Sequence, residues 1–398
     1  MKPKILFIIP AIEDNKNNNL PKYPLAPFRL EAYCRDIADF SFLLGNSVDN
    51  IDLNIDIISI TTIFVATDNF TSKVLDIISY NSLLSLILEI RDKTNAKIFL
   101  GGHLPKYKPE IEKYVDWCCY YEGEKPFRNA IQNFINNKPL INSKEYEILS
   151  QEELDSIPPI DIKYFDKILP LQIGIGCRSS CIFCSSPFSQ GKKIRHQSTE
   201  KIIEDLNFYK KNIEKFFVID DDLFSDSNHY KKIFQYMANN KLYAEFPQIP
   251  IYLEKEELEL LLPLTTIFNF SPDACNEKIF KLTNKKGSFE NFEKLVKFIY
   301  NKKMFSILSA QFIINYPEET EDDRKEAIEL FSNLPLWCVT IFPLTIMENS
   351  ILDKKLNLTE EEKFSFYLKG KIIADEMMGK INLKLQNEKI KNSIYYPV

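Results

Sequence analysis

The first 137 residues alternate between short apolar runs and longer stretches with apolar positions every three or four residues. Ile5-Leu6-Phe7-Ile8-Ile9, closed by Pro10, reads as a parallel strand buried on both faces, over residues 4–9. Pro27 to about Phe40 fits an amphipathic helix, with Pro27 tolerated in its first turn. Ile55 to Ile60 is a second strand, and a long helical pattern follows from Ser72 to Asp92. Lys97 to Leu100 is a short strand ended by Gly101-Gly102. Trp117 to Tyr121 is another, ended by Glu122-Gly123-Glu124 and followed by a helix to about Asn136. This order predicts an α/β domain with a doubly wound parallel sheet over residues 1–137. Ligands of such sheets lie beyond the carboxyl ends of the strands, where Gly101-Gly102-His103 and Glu122-Gly123-Glu124 fall. Residues 138–170 follow neither period, and Pro158-Pro159 points to an extended linker.

The second half repeats strand, loop and helix. Strands are expected at Leu171–Ile175, Phe216–Ile219, Gln248–Leu253, Thr266–Phe270, Phe305–Ile314 and Trp337–Phe342. Helices are expected from Ser198 to Lys211, from Asn228 to Ala238, in a short run from Glu254, in helices ending near Tyr300, and from Glu319 to Ser332. Six parallel units over residues 171–345 predict a partial (βα)6 barrel, whose active site lies in the loops after the strands. Polar clusters occupy those loops: the cysteine segment after the first strand, Asp220-Asp221-Asp222 after the second, Ser271-Pro272-Asp273 after the fourth and Asn315-Tyr316-Pro317 after the fifth. Residues 346–398 form a charged helical tail that could cover one end of the barrel.

Composition narrows this picture. A chain of 398 residues can bury two cores. It is 45% hydrophobic and 27% charged, as in a soluble globular protein, and its formal net charge of -6 argues against a nucleic-acid partner. With 10 glycines, bare-backbone phosphate loops should be few. The apolar run at residues 5–9 is too short for a membrane span or a secretory core, so a cytoplasmic protein without a membrane span is expected. In that compartment the eight cysteines would be reduced thiols, and clustered ones would be ligands.

Gly176-Cys177-Arg178-Ser179-Ser180-Cys181-Ile182-Phe183-Cys184 puts three thiols within eight residues. Cubane iron–sulfur clusters are held by cysteine thiolates, usually four. With three, one iron keeps an open position. A structural zinc would take a fourth protein ligand, for which His196 is the local candidate. That reading leaves the neighbouring acidic loops unexplained. A disulfide leaves one cysteine over and needs an oxidising compartment. The carboxylates of Asp220, Asp221 and Asp222 could accept hydrogen bonds from an ammonium group, or an acidic turn could simply cap a helix. Cys34, Cys118 and Cys119 fit core positions.

The Cys-x3-Cys-x2-Cys spacing, with Phe183 before the last cysteine, resembles the signature of the radical S-adenosylmethionine (SAM) superfamily. The resemblance implies a 4Fe-4S cluster on Cys177, Cys181 and Cys184, and S-adenosylmethionine on the open iron. One-electron cleavage would give a 5′-deoxyadenosyl radical that takes hydrogen from an unactivated C–H bond, the protein supplying positioning. Phe217 to Phe224 is similar to the second-strand motif whose loop meets the methionine amino group, implicating Asp220, Asp221 and Asp222. Asn269 to Asp273 stands where relatives often carry Gly-Ile-Glu-Ser, which implicates Ser271 and Asp273. Thr283 to Gly287 looks like the lysine-glycine turn that follows. Gln311 to Thr320 is similar to a segment ending in Gly-x-Pro-Gly-Glu-Thr, implicating Gln311 and Asn315, although Asn315 and Glu318 replace two of its glycines. Phe183 completes the cofactor-binding candidates of the barrel. Cys275 and Cys338, near barrel loops, are catalytic candidates as hydrogen donors to a substrate radical, with core packing as the plainer alternative.

The first domain resembles the cobalamin-binding domain found upstream of one branch of that superfamily. The resemblance rests on Pro24-Leu25-Ala26-Pro27, Gly101-Gly102-His103-Leu104-Pro105 and Glu122-Gly123-Glu124. It makes Gly101, Gly102, Glu122 and Gly123 candidate cofactor contacts. The Asp-x-His-x-x-Gly motif that supplies cobalt's lower ligand in many cobalamin proteins is absent, and some relatives bind cobalamin without it. His103 is either a turn residue or a cobalt ligand, and the sheet either holds cobalamin or is kept for packing or substrate docking. With cobalamin the resemblance implies methyl transfer to carbon. Without it, epimerisation, cyclisation or rearrangement is implied. The methylthiotransferases share the barrel, but carry three further N-terminal cysteines and a small basic C-terminal barrel, which are not seen here. The chemistry implies a low-potential electron donor of flavodoxin or ferredoxin type, and a small-molecule, peptide or lipid substrate. A non-catalytic alternative is an iron–sulfur electron carrier or a zinc-stabilised binding module.

Overall fold

The computed structural model describes residues 2–10, 24–45, 54–62, 65–66, 78–302 and 307–393. The chain divides into two compact units, Met1–Pro170 with Glu204–Lys211, and Leu171–Ile203 with Asn212–Val398.

The first unit is built on strands β1 (Lys4–Ile9), β2 (Asp39–Leu44), β3 (Ile57–Thr61), β6 (Lys97–Gly101) and β7 (Trp117–Cys118), ordered β2-β1-β3-β6-β7. Every pairing is parallel. A separate two-stranded sheet joins β4 (Val65–Ala66) and β5 (Ile78–Ser79). β1 is buried from Ile5 to Ile9 and β3 throughout, because successive residues feed opposite core layers. Leu6, Ile8, Ile58, Ile60, Ile98 and Leu100 pack with Leu83, Leu86, Ile87 and Ile90 of helix Tyr80–Lys93. Ile5, Phe7, Ile57 and Phe99 pack with Phe127, Ala130 and Ile131 of helix Glu124–Ile135. This strand order places the topological switch between β1 and β3, where a ligand crevice is expected.

The predicted helix from Pro27 to Phe40 stops at Cys34, and Asp39–Leu44 is a strand. Phe40 and Phe42 alternate along it and stack on Phe7, so the side chains that looked helical are held by a two-residue period. The helix expected from Ser72 begins at Tyr80, after β5, and residues 72–77 lie outside the described residues. Residues 138–170 differ from a bare linker. Asn142 Oδ1 accepts from the Cys118 amide at 2.8 Å, Ile141 O accepts from Trp117 Nε1 at 2.9 Å, and Ser143 bridges to Cys119 in parallel. Helix Gln151–Asp155 opens on a Ser150–Glu153 capping box, and Leu154, Ile157, Ile160 and Phe165 are buried.

The six barrel strands are β8 (Ile168–Leu171), β9 (Lys215–Val218), β10 (Tyr243–Glu245), β11 (Ile267–Phe270), β12 (Ile307–Ile314) and β13 (Cys338–Pro343). They form two three-stranded arcs, β10-β9-β8 and β11-β12-β13. A one-residue parallel bridge, Ile249 to Phe270, joins the arcs. The third strand was expected at Gln248–Leu253, but Pro247 and Pro250 remove ladder donors there, and regular pairing moves back to Tyr243–Glu245. Along β12, Leu308, Ala310, Phe312 and Ile314 are buried, with Phe312 stacked on Phe331 of helix Glu321–Asn333, while Ser309, Gln311 and Ile313 lie on the opposite, half-buried face. Residues 303–306, which include the expected start of this strand, lie outside the described residues.

The tail forms helix Ile351–Leu356 and the long helix Glu360–Ser393. Asn382 of the long helix mimics a neighbouring strand, accepting from Val339 N at 2.8 Å and donating to Val339 O at 3.0 Å. It caps part of the outer edge of β13, which would otherwise offer unpaired backbone groups. Asn382→Ala should cost about 1–3 kcal/mol of stability, read as a lower denaturation midpoint.

Candidate active site

The cysteine loop leaves the first barrel strand through a fixed turn. Gly176 has φ +98°, and a Cβ there would lie 2.7 Å from the Lys193 carbonyl oxygen. Ile175 pairs antiparallel with Arg195, and the Cys177 amide donates to Gly191 O at 3.0 Å. Residues 175–195 thus close on themselves. Further along, Ile182 donates to Thr283 O at 3.0 Å and accepts from the Leu352 amide at 2.8 Å. Cys177 is buried, Cys181 and Cys184 are half-buried, and all three are free thiols. Burial pushes the thiol of Cys177 up and that of Cys181 to about 12, with Lys285 working in the opposite direction at Cys181. Without a cation to hold them as thiolates, Cys177 and Cys181 stay protonated.

The acidic turn after β9 surrounds this loop. Asp220 accepts from the amides of Ile173 at 2.8 Å and Gly174 at 3.0 Å, and from the Tyr230 hydroxyl at 2.5 Å. Asp222 accepts from Arg178 through the main-chain amide at 3.1 Å and Nε at 2.8 Å, and from the Tyr252 hydroxyl at 2.7 Å. Asp221 is exposed, yet desolvation by the surrounding protein raises its carboxyl, while a hydrogen bond with Ser186 lowers it.

Across the second arc, Asn269 Nδ2 donates to Gln311 Oε1 at 3.0 Å, and Gln311 Nε2 donates to the buried Ser271 hydroxyl at 2.8 Å. Asp273, at φ +54°, is ion-paired with Lys285, and its carbonyl accepts from the Tyr316 hydroxyl at 2.8 Å. Phe183 meets the Tyr316 ring edge-on at 6.4 Å between centroids. Asn315 adopts φ +70°, so it fills the left-handed position where the resemblance expected glycine, as asparagine tolerates better than most residues. Its amide and that of Tyr316 donate to Glu319, which also takes Arg324 Nε at 2.6 Å.

Of the two catalytic candidates, Cys338 is placed away from the expected loops, and Cys275 takes the core-packing alternative. Cys338 opens β13 and pairs with Ser309, whereas the loops of the mouth follow the other strand end, beyond Pro343. Five residues of strand, about 16 Å, separate it from that end. Cys275 does follow the fourth strand, but it is fully buried, and burial raises its thiol well above the ordinary value. The register of β13 and the packing beneath Asp273 decide these positions, and neither is visible in cysteine spacing.

In the first unit, Gly102 has φ +108° and lies against Thr62, whose hydroxyl donates to Gly101 O at 3.0 Å and accepts from the Leu104 amide at 3.2 Å. Gly123 precedes helix Glu124–Ile135 and packs against Leu30, and Glu122 accepts from the Tyr146 hydroxyl at 3.3 Å. His103 precedes the short helix Leu104–Tyr107, and its ring lies 5.9 Å from that of Tyr107.

Sequence reasoning missed Arg178, Ser186, Tyr230 and Tyr252, which tie the acidic turn to the cysteine loop and its flanks. Arg178 adjoins a cysteine, which is a weak signal, and the two tyrosines carry none. Two titrating groups sit on the same elements. Burial raises Asp220 to about 7, so folding takes up a proton and its contribution is lost as pH rises through that value. Burial, with His196 stacked at 3.9 Å, lowers His229 to about 4, so its contribution is lost as pH falls from about 6.5 towards 4. The slopes oppose each other. Asp220→Asn removes the first, so melting temperature should fall more steeply from pH 7 to pH 5 in the variant than in the wild type.

A parallel half-barrel with a three-thiol loop at the exit of its first strand and polar loops at its other strand ends defines a cofactor-dependent barrel enzyme. Residues 171–331 match the Radical SAM superfamily, so the chain carries that superfamily's domain, whose members use a 4Fe-4S cluster and S-adenosylmethionine. Threonylcarbamoyladenosine tRNA methylthiotransferase MtaB of Aquifex aeolicus is 25% identical over 210 residues, 50% of each chain. This chain therefore spans about half the length of that relative. Ribosomal protein uS12 methylthiotransferase RimO of Hydrogenobaculum sp. is 23% identical over 74% of this chain and 71% of its own. The radical S-adenosylmethionine methyltransferase TsrM of Kitasatospora setae, solved with cobalamin and a [4Fe-4S] cluster, superposes with a TM-score of 0.68 at 14% identity, covering 88% of this chain and 74% of its own. That likeness shows the α/β fold predicted from the strand pattern. Among the described residues no helix is long and apolar enough to cross a membrane.

The donor set suits the cluster. Three free thiols share one loop, and charge on Cys177 or Cys184 is felt at Cys181. Among the described residues no group of three or more His, Cys, Asp or Glu side chains, the three thiols included, is placed so that it could hold a metal ion. His196 lies 3.5 Å from Asp226 and stacks on His229, an arrangement that gives it partners other than the thiols.

Proposed function

We propose that this protein is a radical SAM enzyme that functionalises an unactivated C–H bond, with cobalamin-dependent C-methylation as its reaction. The observation that carries the first part is the loop of three free thiols, without a local fourth, fixed at the exit of the first barrel strand. Cys177, Cys181 and Cys184 would hold the 4Fe-4S cluster, and with no local fourth thiol the cluster would keep a position open for S-adenosylmethionine. When bound, cluster and cofactor supply the one-electron cleavage that yields the 5′-deoxyadenosyl radical. The chain supplies position. Asp221 presents a carboxylate to the methionine ammonium. Ser271, Gln311, Asp273 and Asn315 would frame the loops for the rest of the cofactor, and Phe183, edge-on to Tyr316, would back the cluster. A flavodoxin- or ferredoxin-type donor provides the electron, and the substrate is a small molecule, peptide or lipid.

The methylation reading rests on the first unit. Its β2-β1-β3-β6-β7 order opens a crevice at the switch point, and TsrM, of the same fold, is a cobalamin-containing methyltransferase. Methylthio transfer, the activity named for MtaB and RimO, is disfavoured by the first unit's own cysteines. Cys118 lies in one core layer, Cys34 and Cys119 lie in the other, and burial pushes each thiol up to about 12. Anaerobic reconstitution tests both parts. About four irons per chain and reductant-dependent formation of 5′-deoxyadenosine are expected. A fully loaded cluster that never cleaves S-adenosylmethionine refutes the enzyme reading and favours an electron carrier. Failure to retain supplied hydroxocobalamin through gel filtration refutes methylation and favours epimerisation, cyclisation or rearrangement.

A further inference from the structure

The acidic turn after β9 carries more bonds than a ligand-facing loop needs. Asp222 is 1% exposed in its side chain, and its acceptor sites are filled by Arg178 N, Arg178 Nε, Arg178 Nη2 at 3.3 Å and the Tyr252 hydroxyl. A carboxylate so enclosed and so fully paired has little left to offer a ligand's ammonium. Arg178 directly follows Cys177, so the bond to its main-chain amide fixes the backbone next to the first thiol. The Tyr252 hydroxyl also lies 2.5 Å from Leu223 O, so its single proton is shared between that carbonyl and the carboxylate and ties both to the same loop. At the other end of the triad, Ser186 lies two residues after Cys184, where its amide donates to the Cys184 sulfur at 3.4 Å and its hydroxyl bonds to Asp221. Asp220 holds the strand exit at Ile173 and Gly174. The three carboxylates therefore bracket the cysteine loop before, within and after the triad.

We propose that Asp222, held by Tyr252, is a positioning residue that presets the cysteine loop through Arg178, and that it does not receive the cofactor's ammonium. This rests on the cluster-binding reading above for one of its two tests and stands without it for the other. Removing the loop's tie should let the apoprotein's thiols move, and should let a bound cluster escape, while the barrel stays folded.

The test uses Asp222→Asn and the gentler Tyr252→Phe in the full chain. In the metal-free protein, iodoacetamide alkylation of Cys181, followed by peptide mass spectrometry, should quicken severalfold in both variants with melting temperatures close to wild type. In anaerobically reconstituted protein, loss of iron to a chelator should quicken about tenfold, the equivalent of one charge-assisted hydrogen bond. S-adenosylmethionine affinity at equal cluster content should stay within threefold of wild type. Wild-type alkylation and iron-loss rates in both variants overturn the proposal. So does a cluster held as in the wild type together with a large loss of S-adenosylmethionine affinity in Asp222→Asn, which returns Asp222 to the cofactor. If Asp222→Asn does not fold, Tyr252→Phe decides. If even the wild type takes up no iron, the cluster reading fails, and the alkylation rates still decide the loop's tie.

Discussion

Cys181→Ala leaves a folded protein that no longer retains a four-iron cluster or forms 5′-deoxyadenosine. Cys181 is the middle thiol of the triad proposed to hold the cluster, and charge on Cys177 and Cys184 reaches it. Two remaining thiolates would leave two irons exposed instead of one, and the next donors in the chain are committed elsewhere. Asp273 is paired with Lys285, and Asp222 with Arg178. The thiol is half-buried in a loop, so its loss costs little core packing, and melting of the metal-free variant should stay near wild type. Iron and sulfide analysis, electron paramagnetic resonance of the reduced protein and product detection read the effect. A variant with full iron content and wild-type product formation removes Cys181 from the ligand set.

Gly176→Ala should be nearly as severe by a different route. The backbone there sits at φ +98°, a region that costs a non-glycine residue about 1–3 kcal/mol, and the added Cβ would meet the Lys193 and Gly191 carbonyl oxygens at 2.7 and 3.1 Å. Both contacts are backbone, in the segment that closes on Ile175 and Cys177, so neither can rotate away. The turn must open, and Cys177 moves with it. Reconstituted iron content should fall to a small fraction of wild type, with a lower melting temperature. Gly379→Ala is the matched control, because a Cβ there meets nothing within 4 Å. Equal iron content in Gly176→Ala and wild type would show that the loop tolerates another path.

Much of this was legible in the residues. The period of apolar positions gave the parallel strands of both units because strands buried on two faces read as continuous apolar runs, as at Ile5–Ile9. It failed at Asp39–Leu44, where Phe40 and Phe42 sit on an edge strand and a two-residue period is too short to tell from the end of a helix. It failed again at Gln248–Leu253, where apolar content suggested a strand that Pro247 and Pro250 reduce to a one-residue bridge at Ile249. Asn315 looked like a departure from its family's glycine, yet its φ of +70° keeps the same backbone.

The thiol spacing by itself pointed to the superfamily's cluster chemistry, because Cys177, Cys181 and Cys184 are local in the chain and a short loop could bring them to one centre. What the acidic turn does was decided only by tertiary structure. Asp222 meets Arg178 across 44 positions and Tyr252 across 30, so no local pattern records the pairing. The same holds for Cys338, whose distance from the barrel mouth is set by strand register, and for Asn382, which reaches back 43 positions to the edge of β13. Spacing along the chain names the candidate ligands. The partners that hold those ligands in place come from distant strands, and only the packed barrel selects them.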